Sequence, residues 1–206
     1  MTGPIRRAGR GTDASGAQIV WTVSEGRRGR RWREVRAGPA GVISSLLLET
    51  DPTGRFSHAE ISTAGGLLTL HPEADGTLHG NVVGERGIDH VEALRWPADG
   101  VVLLEGSTIA RAAAMAMVDA LRAGRRTSRG APSGTTVTLA ALHIDLRLGR
   151  HLADVSVARH GDGRWLFGGT DGIRVDEHGL PVQDDGASWP LEQEAGPGAI
   201  VGGNGG

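Results

Sequence analysis

Short runs in which apolar and polar residues alternate recur along most of this chain, and they point to strands. Ile144, Leu146 and Leu148 alternate with Asp145 and Arg147, while Trp165 and Phe167 share one side of their run, as do Ile173 and Val175. A period of two sets one face of a strand against a core and the other in water, as antiparallel sheets allow. Further strand-like runs cover residues 19–24, 41–50, 55–63, 66–71, 77–83, 87–96, 101–105 and 154–160. Turn chemistry separates them at Asp51-Pro52-Thr53-Gly54, Ala74-Asp75-Gly76, Gly161-Asp162-Gly163 and His178-Gly179. Proline fixes φ at the second position of a type I turn, and the glycine takes the left-handed residue after it. The expectation is a mainly β protein, a long antiparallel meander of hairpins closing into a roll or open barrel.

One stretch breaks this period. GSTIARAAAMAMVDALRAG, residues 106–124, predicts a central helix over about 107–123. Ser107 is suited to cap its start and Gly124 to end it, with Arg122, Arg125 and Arg126 near the negative end of the dipole. At about 100° per residue, Arg111, Asp119 and Arg122 share one arc, interrupted only by Met115. Ala113, Ala116 and Ala120 lie opposite, flanked by Ile109, Met117 and Leu121, so most of the helix is expected to be buried. A helix of about 15 residues is roughly 22 Å long, short of the ~30 Å that a membrane span requires.

Composition sharpens this picture by subtraction. With no Cys, the chain has no disulfide, thiolate nucleophile or cysteine-ligated metal, and with no Lys it has no P-loop lysine or Schiff base. All 22 basic residues are Arg, and the net charge is -2. Residues 1–18 and 193–206 are polar or Gly-rich and are expected to be disordered, leaving 19–192 as a single β-roll domain. The absence of a signal-peptide pattern in 1–18 leads to an expected cytoplasmic location. Arg27, Arg28, Arg30, Arg31, Arg33 and Arg36 cluster early, in what reads as a loop entering a strand at Trp32. With few aromatics beside it, this cluster is read as a solvated loop and no nucleic-acid partner is expected.

Candidate chemistry is sparse. No Gly-x-Ser-x-Gly, His-Glu-x-x-His or Gly-x-Gly-x-x-Gly pattern occurs. His143 with Asp145, and His58 with Glu60, are each placed on one side of a strand, as a metal or an acid-base couple would require, and Asp89-His90 lies near a turn. Solvent-facing strand pairs and local hydrogen bonding to backbone are the favoured, simpler explanation, so no catalytic residue, metal site or cofactor is assigned. The candidate ligand-binding residues are Arg111 and Met115 on one side of the helix, Met117 on its buried face, and Trp96 and Trp165 as flat apolar walls. Each is also an ordinary core or rim residue in the plainer reading.

The order of features resembles a bacterial family described as glycolipid-binding. The resemblance rests on an early strand containing Trp21, on Gly76, Gly80, Ile88 and Asp89 in DGTLHGNVVGERGIDHVEALRWP, and on Val175, Asp176, Gly179 and Leu180 in the ending IRVDEHGLPVQDDGASWPL. The family's Thr-Asn-Thr-Leu-Pro-Ile-Arg-Arg segment is represented by 107–111, with Ala110 in place of Pro, and Leu78 stands where an aromatic is expected. The resemblance implies a spiral antiparallel β-roll without a known reaction. The leading expectation is then a non-catalytic protein that holds an apolar or amphipathic molecule, a glycolipid among the possibilities, between a curved sheet and the helix. A structural or interaction module with a filled core is the alternative, and a hydrolase-like enzyme using the His/Asp pairs is the third.

Overall fold

The computed structural model describes residues 6–13, 15–125, 136–160, 164–169, 171–176, 179–184, 187–188 and 191–192. Along the chain run β1 (Arg6–Thr12), β2 (Gln18–Gly26), β3 (Gly29–Gly38), β4 (Gly41–Thr50), β5 (Phe56–Thr63), β6 (Gly66–Pro72), β7 (Thr77–Gly84), β8 (Gly87–Arg95) and β9 (Val101–Leu104). Helix α1 (Thr108–Arg125) follows. The remaining strands are β10 (Thr136–Ile144), β11 (Arg150–Arg159), β12 (Arg164–Phe167), β13 (Asp171–Val175), β14 (Pro181–Asp184), β15 (Ala187–Ser188) and β16 (Leu191–Glu192). A nine-stranded sheet takes the order β16-β1-β2-β3-β4-β5-β6-β7-β8, and a seven-stranded sheet the order β15-β14-β13-β12-β11-β10-β9. Among the described residues the architecture is mainly β and antiparallel, with a curled half-barrel sheet and one helix.

Five tight turns share one local device. In each, two backbone hydrogen bonds close a three-residue loop, as when Asp51 N–H donates to Arg55 O (2.7 Å) and Gly54 N–H to Asp51 O (2.9 Å). The same pair of bonds recurs in the turns that begin at Asp13, Glu73, Asp145 and Asp176. The last loop residue is left-handed in all five: Gly16, Gly54, Gly76, Leu148 and Gly179. In the turns that begin at Asp51, Glu73 and Asp145, whose loop residues are all described, this is the type I turn followed by a G1 bulge, whose twist suits a hairpin. Aspartate carboxylates lock several of the turns. Asp51 Oδ1 accepts from Thr53 N–H and Arg55 N–H, and Asp145 Oδ1 from Arg147 N–H and Gly149 N–H.

Among the described residues the one parallel pairing is that of β9 with β10, with Leu103 opposite His143. Parallel neighbours require a crossover long enough to return the chain to the starting end, and α1 supplies it. The helix packs against β9, β13 and β14 on one side and β3 on the other, so it lies between the two sheets. Trp21, Trp32, Leu46, Ile61, Leu68, Leu70 and Leu78 of the large sheet share a single core with Ile109, Met115 and Val118 of the helix and Leu139, Val157, Trp165 and Ile173 of the small sheet. Among the described residues, no helix is long and apolar enough to cross a membrane.

Four expectations need correction. Residues 1–18, expected to be disordered, contain β1, which pairs with β2 over its whole length and with β16 at Ala8 and Gly9. Backbone pairing rather than an apolar face holds this polar strand, and its Gly9 leaves room for the Trp21 indole, which a Cβ there would meet at 2.5 Å. The alternation at 144–148 is a turn instead of a strand, because the Asp145 carboxylate takes up the N–H groups of the loop. The helix runs through Gly124 to Arg125 rather than ending there. Met115, set on the charged arc, is 1% exposed, because the helix is covered from both sides. The turn expected at 161–163 and the tail 193–206 lie outside the described residues, as do the side chains of Leu121, Arg122 and Arg125.

Candidate ligand-binding site

The start of α1 is fixed by buried polar groups. Ser107 Oγ accepts the Ala110 N–H (3.0 Å), the expected N-cap, and Glu34 of β3 reaches across to accept the Ile109 N–H through Oε2 (3.1 Å). Glu34 is only 2% exposed. Burial pushes its pKa up; the hydrogen bonds with Ile109 and Ser107 and the nearby Arg36 and Arg111 charges oppose that without overcoming it. Beside it, the Arg36 guanidinium donates to Asp13 Oδ2 (2.8 Å) and to Glu105 O (3.1 Å). It lies so close to Gly106 that a Cβ there would sit 2.6 Å from it, and Gly106 also has a positive φ of 71°. Burial alone would raise the Asp13 pKa, but hydrogen bonds with Ser15, Arg36 and Ala17 together hold it below the usual value.

Next to this helix start opens a cleft of about 640 Å3. Its apolar walls are Leu103 and Leu104 of β9, Ile144 of β10, Val155 of β11 and Phe167 of β12; Arg111, Ser107, Glu105, His143, Asp145 and His151 supply its polar groups. His143 and His151 are cross-strand partners in β10 and β11. Their rings stack with centroids 4.9 Å apart and planes 10° from parallel. Burial, and then the neighbouring His151 charge, hold the His143 pKa below its ordinary value, so its imidazole is neutral at pH 7. The cleft's acids are engaged with backbone: Glu105 Oε2 accepts the Leu146 N–H (3.2 Å), and Asp145 caps its turn.

The five predicted ligand residues are not brought together. Arg111, half-buried, lines this cleft. Met117 borders a second, more polar cleft of about 530 Å3 at the other half of the helix, with Trp32, Ala116, Asp119, Ala120 and the β2–β3 and β4–β5 turns. Met115 and Trp165 are core residues, each 1% exposed. Trp96 is also buried and meets Phe56 edge-on, with ring centroids 5.5 Å apart. Of the acid-base candidates, His143 has its ring against His151 while Asp145 serves its turn. His58 Nε2 lies 3.2 Å from Glu60 Oε1 at the surface, and His90 hydrogen-bonds to Asn81 (2.6 Å). Among the described residues no cluster of three or more His, Asp or Glu side chains could hold a metal.

Sequence reasoning missed His151, Glu34 and Arg36. The signal for the latter two was available: they share the parity of Trp32, and β3 buries that whole side, Trp32, Glu34 and Arg36 alike. A buried Glu and Arg two residues apart, beside a helix start elsewhere in the chain, is a cap supplied from a distance.

The architecture is similar to that of a DUF1089 family protein from Pseudomonas aeruginosa, known from a crystal structure, with a TM-score of 0.53. The alignment covers 81% of this chain and 88% of that one at 14% sequence identity, a likeness of fold. No protein-family model matches the chain, and no curated protein matches it.

Proposed function

We propose that the protein binds an amphipathic molecule in the cleft at the start of α1, without transforming it. The observation that carries this reading is the lining: apolar side chains from four strands form the walls, and Arg111 supplies a cation from the helix. A volume of about 640 Å3 falls within the range of about 300–1,000 Å3 usual for small-molecule sites. An acyl or other apolar part would lie on Leu103, Val155 and Phe167, while a polar head group would meet Arg111 and the histidine pair. A glycolipid is one member of this class, and the sequence resemblance to the glycolipid-binding family supports naming it. Binding is preferred over hydrolysis because both acids beside the histidines accept from backbone N–H groups and so are poorly placed to orient a catalytic base.

One observation favours the second reading, a structural module with a filled core. The space between helix and sheets holds Ala113, Met115 and Val118, all 1% exposed or less, so any ligand would sit at the helix end rather than along its length. Native mass spectrometry separates the two. The parent protein, incubated with a monoglycosyl diacylglycerol or a long-chain fatty acid, should retain one lipid mass, and Val155→Trp, which fills the cleft, should lose it. No retained mass in the parent would leave the module reading in its place.

A further inference from the structure

Apart from Arg36, buried beside the helix start, and Arg30, which shares the parity of Trp32, the early arginines are set by the fold on one face, away from the ligand cleft. In register across β1, β2 and β3, Arg6 pairs with Ser24 and Ser24 with Arg31; Thr22 pairs with Arg33; Arg10 pairs with Val20 and Val20 with Val35. Trp21, Val23, Trp32 and Glu34, of opposite parity, are buried, so these rows form the outer face of the large sheet. Arg27 and Arg28 extend the face at the exposed β2–β3 turn, where Arg6, Arg30 and Arg31 join them around a shallow groove of about 450 Å3. The acids beside it, Glu25 and Glu49, are paired with Arg30 and Arg31. The face therefore carries an excess of positive charge in a chain whose net charge is -2.

We propose that this face docks the protein on an anionic lipid bilayer. Guanidinium groups bind phosphate oxygens in pairs, and basic residues are drawn to an anionic surface within about a Debye length. Val20 and Val35, 55% and 41% exposed, stand in the same rows as the arginines, apolar side chains that gain from contact with the headgroup boundary. A single-stranded nucleic acid would call for aromatic side chains on which bases stack, yet Trp21 and Trp32 of these strands are buried on the opposite side. The face is a sheet without a helix to enter a groove, which disfavours duplex recognition by the helical motifs.

The test is co-sedimentation with vesicles, one set of phosphatidylcholine alone and one of equal parts phosphatidylcholine and phosphatidylglycerol. The parent should sediment with the anionic vesicles at low salt, stay in solution with the neutral ones, and be released by added sodium chloride. Each arginine removed should weaken binding about fivefold, so that Arg27→Gln, Arg28→Gln and Arg33→Gln together cost on the order of a hundredfold. All three side chains are exposed, and an unchanged thermal melt would show that the triple variant is folded. Val20→Ser with Val35→Ser should weaken binding while keeping its salt dependence. Equal partition into both vesicle types, no sedimentation of the parent, or tighter binding to a mixed-sequence oligonucleotide than to anionic vesicles would each overturn the proposal. Vesicle binding and lipid retention are separate readouts, so failure of the ligand cleft does not decide this one.

Discussion

Leu148 stands where four other turns have glycine, with a φ of 65° that a side chain enters at a cost of roughly 1–2 kcal/mol. It is also 4% exposed, and burying a leucine contributes about 1.5–3 kcal/mol. The larger quantity should win: Leu148→Gly is expected to lower stability by about 1 kcal/mol in urea unfolding despite relieving the backbone. A stabilised variant would mean that strain dominates at this turn. Glu34 gives a prediction in pH. Its folded pKa lies above the ordinary value of 4.5, so the native state holds a proton that the unfolded chain releases. Its contribution is therefore fully present below about 4.5 and is lost as pH rises through the folded pKa. Glu34→Gln keeps an acceptor for the Ile109 N–H and removes the titration. Its stability relative to the parent should be higher at pH 7 than at pH 4, and an equal difference at both would count against a raised pKa.

At the scale of elements, the hairpins were legible because their turns are local: an Asp or Pro at the start and a Gly at the left-handed position specify the loop within five residues. The helix was legible from its cap and its run of alanines. What the pattern could not show was which side of the helix meets water, since that depends on two sheets contributed by distant parts of the chain. The same reason hides β1, a polar strand held through its partners' backbones, and scatters the predicted ligand residues: Met115, Trp96 and Trp165 are large and apolar, which selects core positions as readily as cleft walls. Only Arg111, costly to bury and therefore drawn toward an opening or a partner, lines the proposed cleft. The close fit of the helix has a measurable consequence. Ala113 is 1% exposed, so Ala113→Leu must displace packed atoms and should cost about 1–3 kcal/mol of stability, read as a lower denaturant midpoint. A neutral result would reveal free space along the helix and revive a ligand lying between helix and sheet.

Across the whole molecule, Arg36 is a polar group that ties distant elements together. From β3 it reaches Asp13 in the β1–β2 turn and the Glu105 carbonyl just before α1, joining the N-terminal hairpin, the large sheet and the helix start. Its side chain is 8% exposed, so loss of its carboxylate partner strands a charge where water cannot solvate it. Asp13→Ala is expected to cost about 3 kcal/mol, more than the turn hydrogen bonds to Ser15 and Ala17 would explain. Arg36→Met removes the charge while keeping much of the volume, and in that background the cost of Asp13→Ala should shrink to that of the turn alone, a coupling of about 2 kcal/mol in the double-mutant cycle. Acid should act the same way. The depressed Asp13 pKa means that its stabilising contribution is present above the ordinary value of 3.8 and is lost as pH falls through the folded pKa. Arg36→Met should therefore flatten part of the acid limb of stability against pH. Additive costs in the cycle, or an unchanged acid limb, would show that the two residues are neighbours without forming a joint.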